Sequence, residues 1–278
     1  MAGCMKKLGR VFLLLIVLYF VVAAVFLRFF VERVAVAKGD WTAEMLSELQ
    51  VSFPQVKGRH LFGRVRGNGH SGCVAIFPGR HGPSSAYEQA VVPPLLQRDL
   101  RVYLIAYPGQ FGADSAASLG ELPSLAGAAV EQIARDCPFP KIVLVGRSLG
   151  SMIAAYATER AHAAGLVLES TTPRFSTFVR TTLRTRWYLQ PLLVLPVQQL
   201  LAEDYSLNSA LKDVHRPVVI FQGTDDEVTP IADFATESLP NTVKLISVEN
   251  ATHSNVYALA LSQYVETIAD MLNQPPTP

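Results

Sequence analysis

The apolar run Ile142 to Val145, followed by Gly146-Arg147-Ser148-Leu149-Gly150, constrains this chain more than any other stretch. Four consecutive apolar residues suit a strand of a sheet buried on both faces. The small-residue run from Met152 to Ala163 behind them reads as a helix. G-x-S-x-G between strand and helix places a serine on a sharp, strained turn, where flanking glycines remove side chains that would clash. The turn aims Ser148 Oγ out of the sheet, as a candidate nucleophile. It also sets the Leu149 backbone N–H at a helix N-terminus, where it can stabilise an oxyanion.

The neighbouring segments supply the rest of such a sheet. Short β-rich runs occur at Leu61–Val65, Cys73–Phe77, Val102–Tyr107, Leu166–Leu168, Val218–Phe221 and Val243–Val248. Helical patterns occupy Leu119–Arg135 and Val256–Leu272. This alternation predicts an α/β fold, a mainly parallel sheet with helices on both faces, across residues 61–272. Between residues 171 and 215 the rhythm breaks. Pro173, Pro191 and Pro196 punctuate a stretch with no strand, and arginines (Arg174, Arg180, Arg184, Arg186) mix with Phe175, Phe178, Trp187 and Tyr188. It reads as a short helical insertion, either a cap over a site or a solvated excursion.

The chain is 50% hydrophobic and 17% charged, so it has material for a core and disorder is excluded for most of its length. With a formal net charge of +1, neither half reads as a nucleic-acid surface. Three cysteines, Cys4, Cys73 and Cys137, lack metal spacing, and their odd number argues against a disulfide framework. Cys73 is expected to pack as a small hydrophobe in its strand. Residues 11–31 form an apolar run of membrane-spanning length, interrupted only by Arg28, which can snorkel to the interface. Residues 1–10 form a basic tail before it, and residues 32–60 a connecting segment after it. A retained single-pass anchor is favoured over a signal peptide cleaved after Ala35-Val36-Ala37, because the run is long and Arg28, Glu32 and Arg33 separate it from that site. Lys6, Lys7 and Arg10 are matched by Arg28, Arg33 and Lys38, so charge barely sets orientation; the basic tail inside with the folded domain outside is preferred. The Pro-rich residues 273–278 read as a disordered tail.

A nucleophilic serine needs a base, and the base needs an orienting carboxylate. On a turn of this kind the partners follow in the order acid, then histidine. His253, just after the last strand, is the candidate base. His60, His70 and His81 precede the serine, and His162 and His215 read as surface residues. The acid belongs in the loop after Val218–Phe221, where Asp225, Asp226 and Glu227 compete. Asp226 opens a D-x-x-x-P turn in which Pro230 starts the next helix. Asp225 is second, Glu227 faces solvent, and Glu169 is a remoter alternative. The loop Pro78-Gly79-Arg80-His81-Gly82 offers the Arg80 N–H as second oxyanion donor, with Gly79 permitting close approach.

Taken together, these residues resemble the α/β-hydrolase superfamily. They are most similar to its small, N-terminally anchored branch, which includes depalmitoylases and lysophospholipases. The resemblance spans roughly residues 61–272. Its markers are Tyr107-Pro108-Gly109, residues 141–150, 165–170 and 216–223, Asp226 through Pro230, and Thr252-His253. It implies the α/β-hydrolase fold and makes Asp226 the acid, since the branch's acid begins a D-E-hydrophobic-x-P run. Gly79 takes the glycine of the family's His-Gly loop, with Pro78 in place of the histidine, and the stretch Gln110 to Ser115 departs from the shorter usual loop. The expected activity is hydrolysis of an ester or thioester, with lipid or acylated substrates favoured and no metal or organic cofactor. The alternatives are a peptidase with the same triad and a catalytically silent binding protein.

Overall fold

The computed structural model describes residues 2–37, 39, 43–110, 117–137, 141–161, 163–237 and 239–274. Phe111 to Ser115, His162 and the last four residues of the Pro-rich tail, discussed above, lie outside these.

Eight strands form one sheet: β1 (Val51–Ser52), β2 (Phe62–Arg66), β3 (Gly72–Phe77), β4 (Leu100–Ala106), β5 (Ile142–Arg147), β6 (Gly165–Glu169), β7 (Val218–Gly223) and β8 (Val243–Val248). Their order is β1-β2-β4-β3-β5-β6-β7-β8. β2 pairs antiparallel with β1 and β4, and every other pairing is parallel. The expected sheet is therefore present, with one difference at its edge. β1 lies inside the segment read as a connection, because a two-residue strand carries no period to detect.

The helices are α1 (Ala2–Phe29), α2 (Ala43–Ser47), α3 (Ser85–Leu96), α4 (Leu122–Asp136), α5 (Leu149–Ala161), α6 (Phe175–Thr185), α7 (Val197–Leu200), α8 (Leu207–Leu211), α9 (Val256–Leu259) and α10 (Leu261–Asn273). Alternation along the strands divides the core in two. Ala75 and Phe77, Tyr103 and Ile105, and Ile142 and Leu144 join one core, with residues of α4, α5 and the insertion. Val74 and Ile76, Val102 and Leu104, and Val143 and Val145 join the other, with residues of α3, α9 and α10. The insertion between β6 and β7 folds as the short helices α6, α7 and α8, with a 3-10 turn at Gln190–Val194. α3 was not foreseen. It holds Pro93 and Pro94, which interrupt the helical signal, yet Tyr87, Val91 and Leu95 give it a buried face at helical spacing.

α1 begins within the stretch read as a basic tail, and its Met5–Phe29 portion is long and apolar enough to cross a membrane. One cysteine expectation is overturned. Cys73, at the start of β3, is disulfide-bonded to Cys137, just past α4, across 64 residues of sequence. An odd count argues against a framework of bridges but leaves room for one pair. The Cα–Cα distance of 6.2 Å that makes this pair bondable exists only once α4 packs on the sheet.

Candidate active site

Ser148 stands between β5 and α5 with φ +52, a left-handed conformation that costs a non-glycine residue about 1–3 kcal/mol. The surroundings enforce it. Ser148 N donates to the Glu169 carbonyl at 2.8 Å, and the Ser148 carbonyl accepts from Ser151 N at 2.9 Å. Both motif glycines are required by space. A Cβ on Gly146 would stand 2.5 Å from the Gly150 carbonyl oxygen, and one on Gly150 would stand 2.1 Å from that of Phe77.

His253 comes from the loop after β8. Its Nε2 lies 2.9 Å from Ser148 Oγ, and its Nδ1 lies 2.9 Å from Asp226 Oδ2. Its carbonyl accepts from Ser170 Oγ at 3.2 Å and from the Arg147 guanidinium at 3.4 Å. The turn after β7 brings only Asp226 of the three competing acids to the imidazole. Asp226 is buried, whereas Asp225 and Glu227 are exposed. Asp226 Oδ1 accepts from the backbone N–H groups of Val228 and Thr229, at 2.9 and 2.8 Å. Oδ2 accepts from Thr229 Oγ1 at 2.8 Å and from Gln222 Nε2 at 3.1 Å. Burial alone would push this carboxyl up. The hydrogen bond and charge of His253, with the bonds from Thr229, outweigh burial and hold it below the usual carboxylate range.

Glu169 stands apart from the imidazole's ring contacts. It is fully buried, and burial raises its pKa, with the Arg147 charge and hydrogen bond opposing the rise. Arg147 Nε donates to Glu169 Oε1 at 3.3 Å, and the Arg147 guanidinium also lies over the rings of Tyr87 and Tyr257. Thr229, Gln222 and Arg147 were given no role from sequence. Only Thr229 has a legible trace, because an aspartate in a loop tends to accept from the backbone two or three residues on, which here includes Thr229 N.

The loop Pro78 to Gly82 lies against the serine. A Cβ on Gly79 would meet Ser148 Cβ at 3.5 Å, an ordinary contact, so space does not require glycine there. The loop is pinned from behind. Tyr107 Oη donates to the Pro78 carbonyl at 3.0 Å, and Gln110 Nε2 donates to that of Gly79 at 3.1 Å. The Arg80 side chain turns away to donate to the Val34 carbonyl at 3.0 Å. Leu149, the first residue of α5, and Arg80 both border the same cavity as Ser148.

That cavity, of about 490 Å³, is lined by apolar side chains of the insertion, among them Phe175, Phe178, Val179 and Leu183. Thr172, Thr182 and Thr229 are among its neutral polar lining residues. Its size is that of a pocket for a small organic ligand. Among the described residues, no group of three or more His, Cys, Asp or Glu side chains is arranged to hold a metal ion.

The sequence profile of the alpha/beta hydrolase family matches residues 67–270. No curated protein matches the chain. Among solved structures, the chain is similar to an esterase of Pyrococcus furiosus, with TM-score 0.62 and 16% identity over 86% of this chain and 97% of that one. It is also similar to an esterase of a Rhodococcus species, with TM-score 0.59 and 16% identity over 81% and 98% of the two chains. An esterase of Exiguobacterium antarcticum gives TM-score 0.56 and 15% identity over 81% and 99%. At these identities the likeness is one of fold.

Proposed function

The chain belongs to the alpha/beta hydrolase family, and from that premise we propose that it is a serine hydrolase cleaving acyl esters or thioesters through Ser148, His253 and Asp226. The observation that carries this reading is the unbroken path from Ser148 Oγ to His253 Nε2 and from His253 Nδ1 to Asp226, with 2.9 Å at each step. His253 takes the Ser148 proton as Oγ attacks the acyl carbon. Leu149 and Arg80 backbone N–H groups receive the oxyanion. Collapse of the tetrahedral species breaks the bond to the alcohol or thiol, which leaves with the proton from His253. Water then attacks the acyl-enzyme as His253 takes its proton, and that proton returns to Ser148 as the carboxylic acid departs. No cofactor enters these steps.

The apolar cavity beside Ser148 favours an acyl chain over a peptide as the group held there. α1 is read as a retained anchor, since Leu27 is buried in the domain core. The Cys73–Cys137 bond favours an oxidising compartment for the catalytic domain, outside the membrane. A fluorophosphonate probe should label the wild type and not Ser148→Ala, and the variant's kcat should fall by about a million-fold. A folded wild type that resists the probe would refute the assignment.

A further inference from the structure

The cavity beside Ser148 is not closed by the catalytic domain alone. α1 supplies one of its walls through Tyr19, Val22, Ala23 and Phe26, which fall on one helix face. This wall is docked. Leu27 is buried, and Tyr19 Oη donates to the Tyr188 carbonyl at 2.5 Å. Beyond the helix, the Glu32 carbonyl accepts from Leu119 N at 3.2 Å and Ala37 N donates to the Arg80 carbonyl at 2.9 Å. Even so, Val22 is 57% and Phe26 45% exposed, so the cleft is open along this edge.

For an α1 that spans a bilayer, a length argument puts the open edge in lipid. Val11 to Leu18 are all exposed, while Tyr19, Ala23 and Phe26 border the cleft. Those eight residues, bounded by Arg10, give about 12 Å of apolar helix clear of the domain, against a hydrocarbon core of about 30 Å. α1 can complete a span only if its docked stretch, with Phe30 just after it, also enters the bilayer. The cap also carries exposed apolar surface, with Trp187 and Val194 82% and 78% exposed.

We propose that α1 is part of the active site, forming with the cap an acyl-chain cleft that opens sideways into the bilayer. The substrate is then a long-chain acyl ester or thioester resident in the membrane, its headgroup left at the surface and its chain drawn past Val22 and Phe26 to Ser148. This rests on the reading of Ser148 as the nucleophile of an acyl hydrolase.

The test uses the full chain in phosphatidylcholine vesicles with 4-nitrophenyl acetate and palmitate. Ala23→Trp fills the cleft, Phe26→Ala removes part of its wall, and Val21→Trp, on the exposed face and outside the lining, is the control. The palmitate-to-acetate ratio of kcat/KM should fall about ten-fold or more in the first two variants and stay within about two-fold of wild type in Val21→Trp. Fluorophosphonate labelling of each variant establishes that it is folded, and Phe26→Ala keeps the test decisive if Ala23→Trp does not fold. An unchanged ratio in Phe26→Ala, or an equal fall in Val21→Trp, overturns the proposal. So does a mature N-terminus beyond Ala37, which would remove the wall. A wild type that neither takes the probe nor cleaves acetate refutes the hydrolase reading itself, and this proposal with it. A monopalmitoyl phospholipid and an S-palmitoyl-cysteine peptide in the same vesicles separate the oxygen ester from the thioester as source of the chain. Cleavage of either supports the cleft, and cleavage of neither counts against it.

Discussion

The Asp226 carboxylate receives bonds from Val228 N, Thr229 N, Thr229 Oγ1 and Gln222 Nε2, besides the His253 imidazole. An asparagine there would offer a donor where the imidazole N–H needs an acceptor. Asp226→Asn should therefore lower kcat by about ten-thousand-fold, while Asp225→Asn, at an exposed position, should stay within about two-fold. The reverse pattern would move the acid to Asp225. The pH dependence follows from the same contacts. Because the Asp226 pKa is depressed, the carboxylate that orients the His253 imidazole stays ionised below the usual carboxylate range. Stability has its own sign. A depressed folded-state pKa means that the ionised Asp226 stabilises the fold above the usual carboxylate range, and that this is lost as pH falls through the lowered value. Ser148, His253 and Asp226 could be singled out from sequence because the motif, the chain order and the D-x-x-x-P spacing are local. Gln222 could not, since its amide meets Asp226 only when the turn after β7 closes, nor could Arg147, whose contacts with Glu169 and His253 form only when β6 and the loop after β8 pack beside the β5 turn.

At the scale of elements, the parallel strands were legible because strands buried on both faces are continuous apolar runs. α3 was not, because Pro93 and Pro94 interrupt the pattern that Tyr87, Val91 and Leu95 still carry. The pairing of β3 with the end of α4 through Cys73 and Cys137 was hidden for a different reason. Sequence spacing does not report that these ends meet. Closing a loop of this length stabilises the fold by about 4 kcal/mol in the chain-entropy account. Cys137→Ser should accordingly lower the denaturation midpoint of the solubilised protein. Reductant should lower the wild type toward the variant and leave the variant unchanged, as read by thermal melts with and without dithiothreitol. A wild type indifferent to reductant under denaturing conditions would show that the bridge is not formed.

For the whole molecule, the anchor and the disulfide bear on one question, the side of the membrane on which Ser148 works. Charge does not decide it, because Lys6, Lys7 and Arg10 before the span are balanced by Arg28, Arg33 and Lys38 after it. The disulfide favours one side, since thiols stay reduced in the cytosol and pair in oxidising compartments. On the orientation proposed above, the domain lies outside, and Cys4, which precedes the span in sequence, is the third cysteine of the chain. A membrane-impermeant maleimide applied to intact cells should leave the protein unmodified. Permeabilisation should expose Cys4 alone, adding one label, and denaturation with reductant should add two more at Cys73 and Cys137. Protease added to intact cells should reach the domain but not the basic tail. Labelling of three thiols without reductant, or a domain shielded until the membrane is opened, would place the active site in the cytosol and set aside the role given to the bridge.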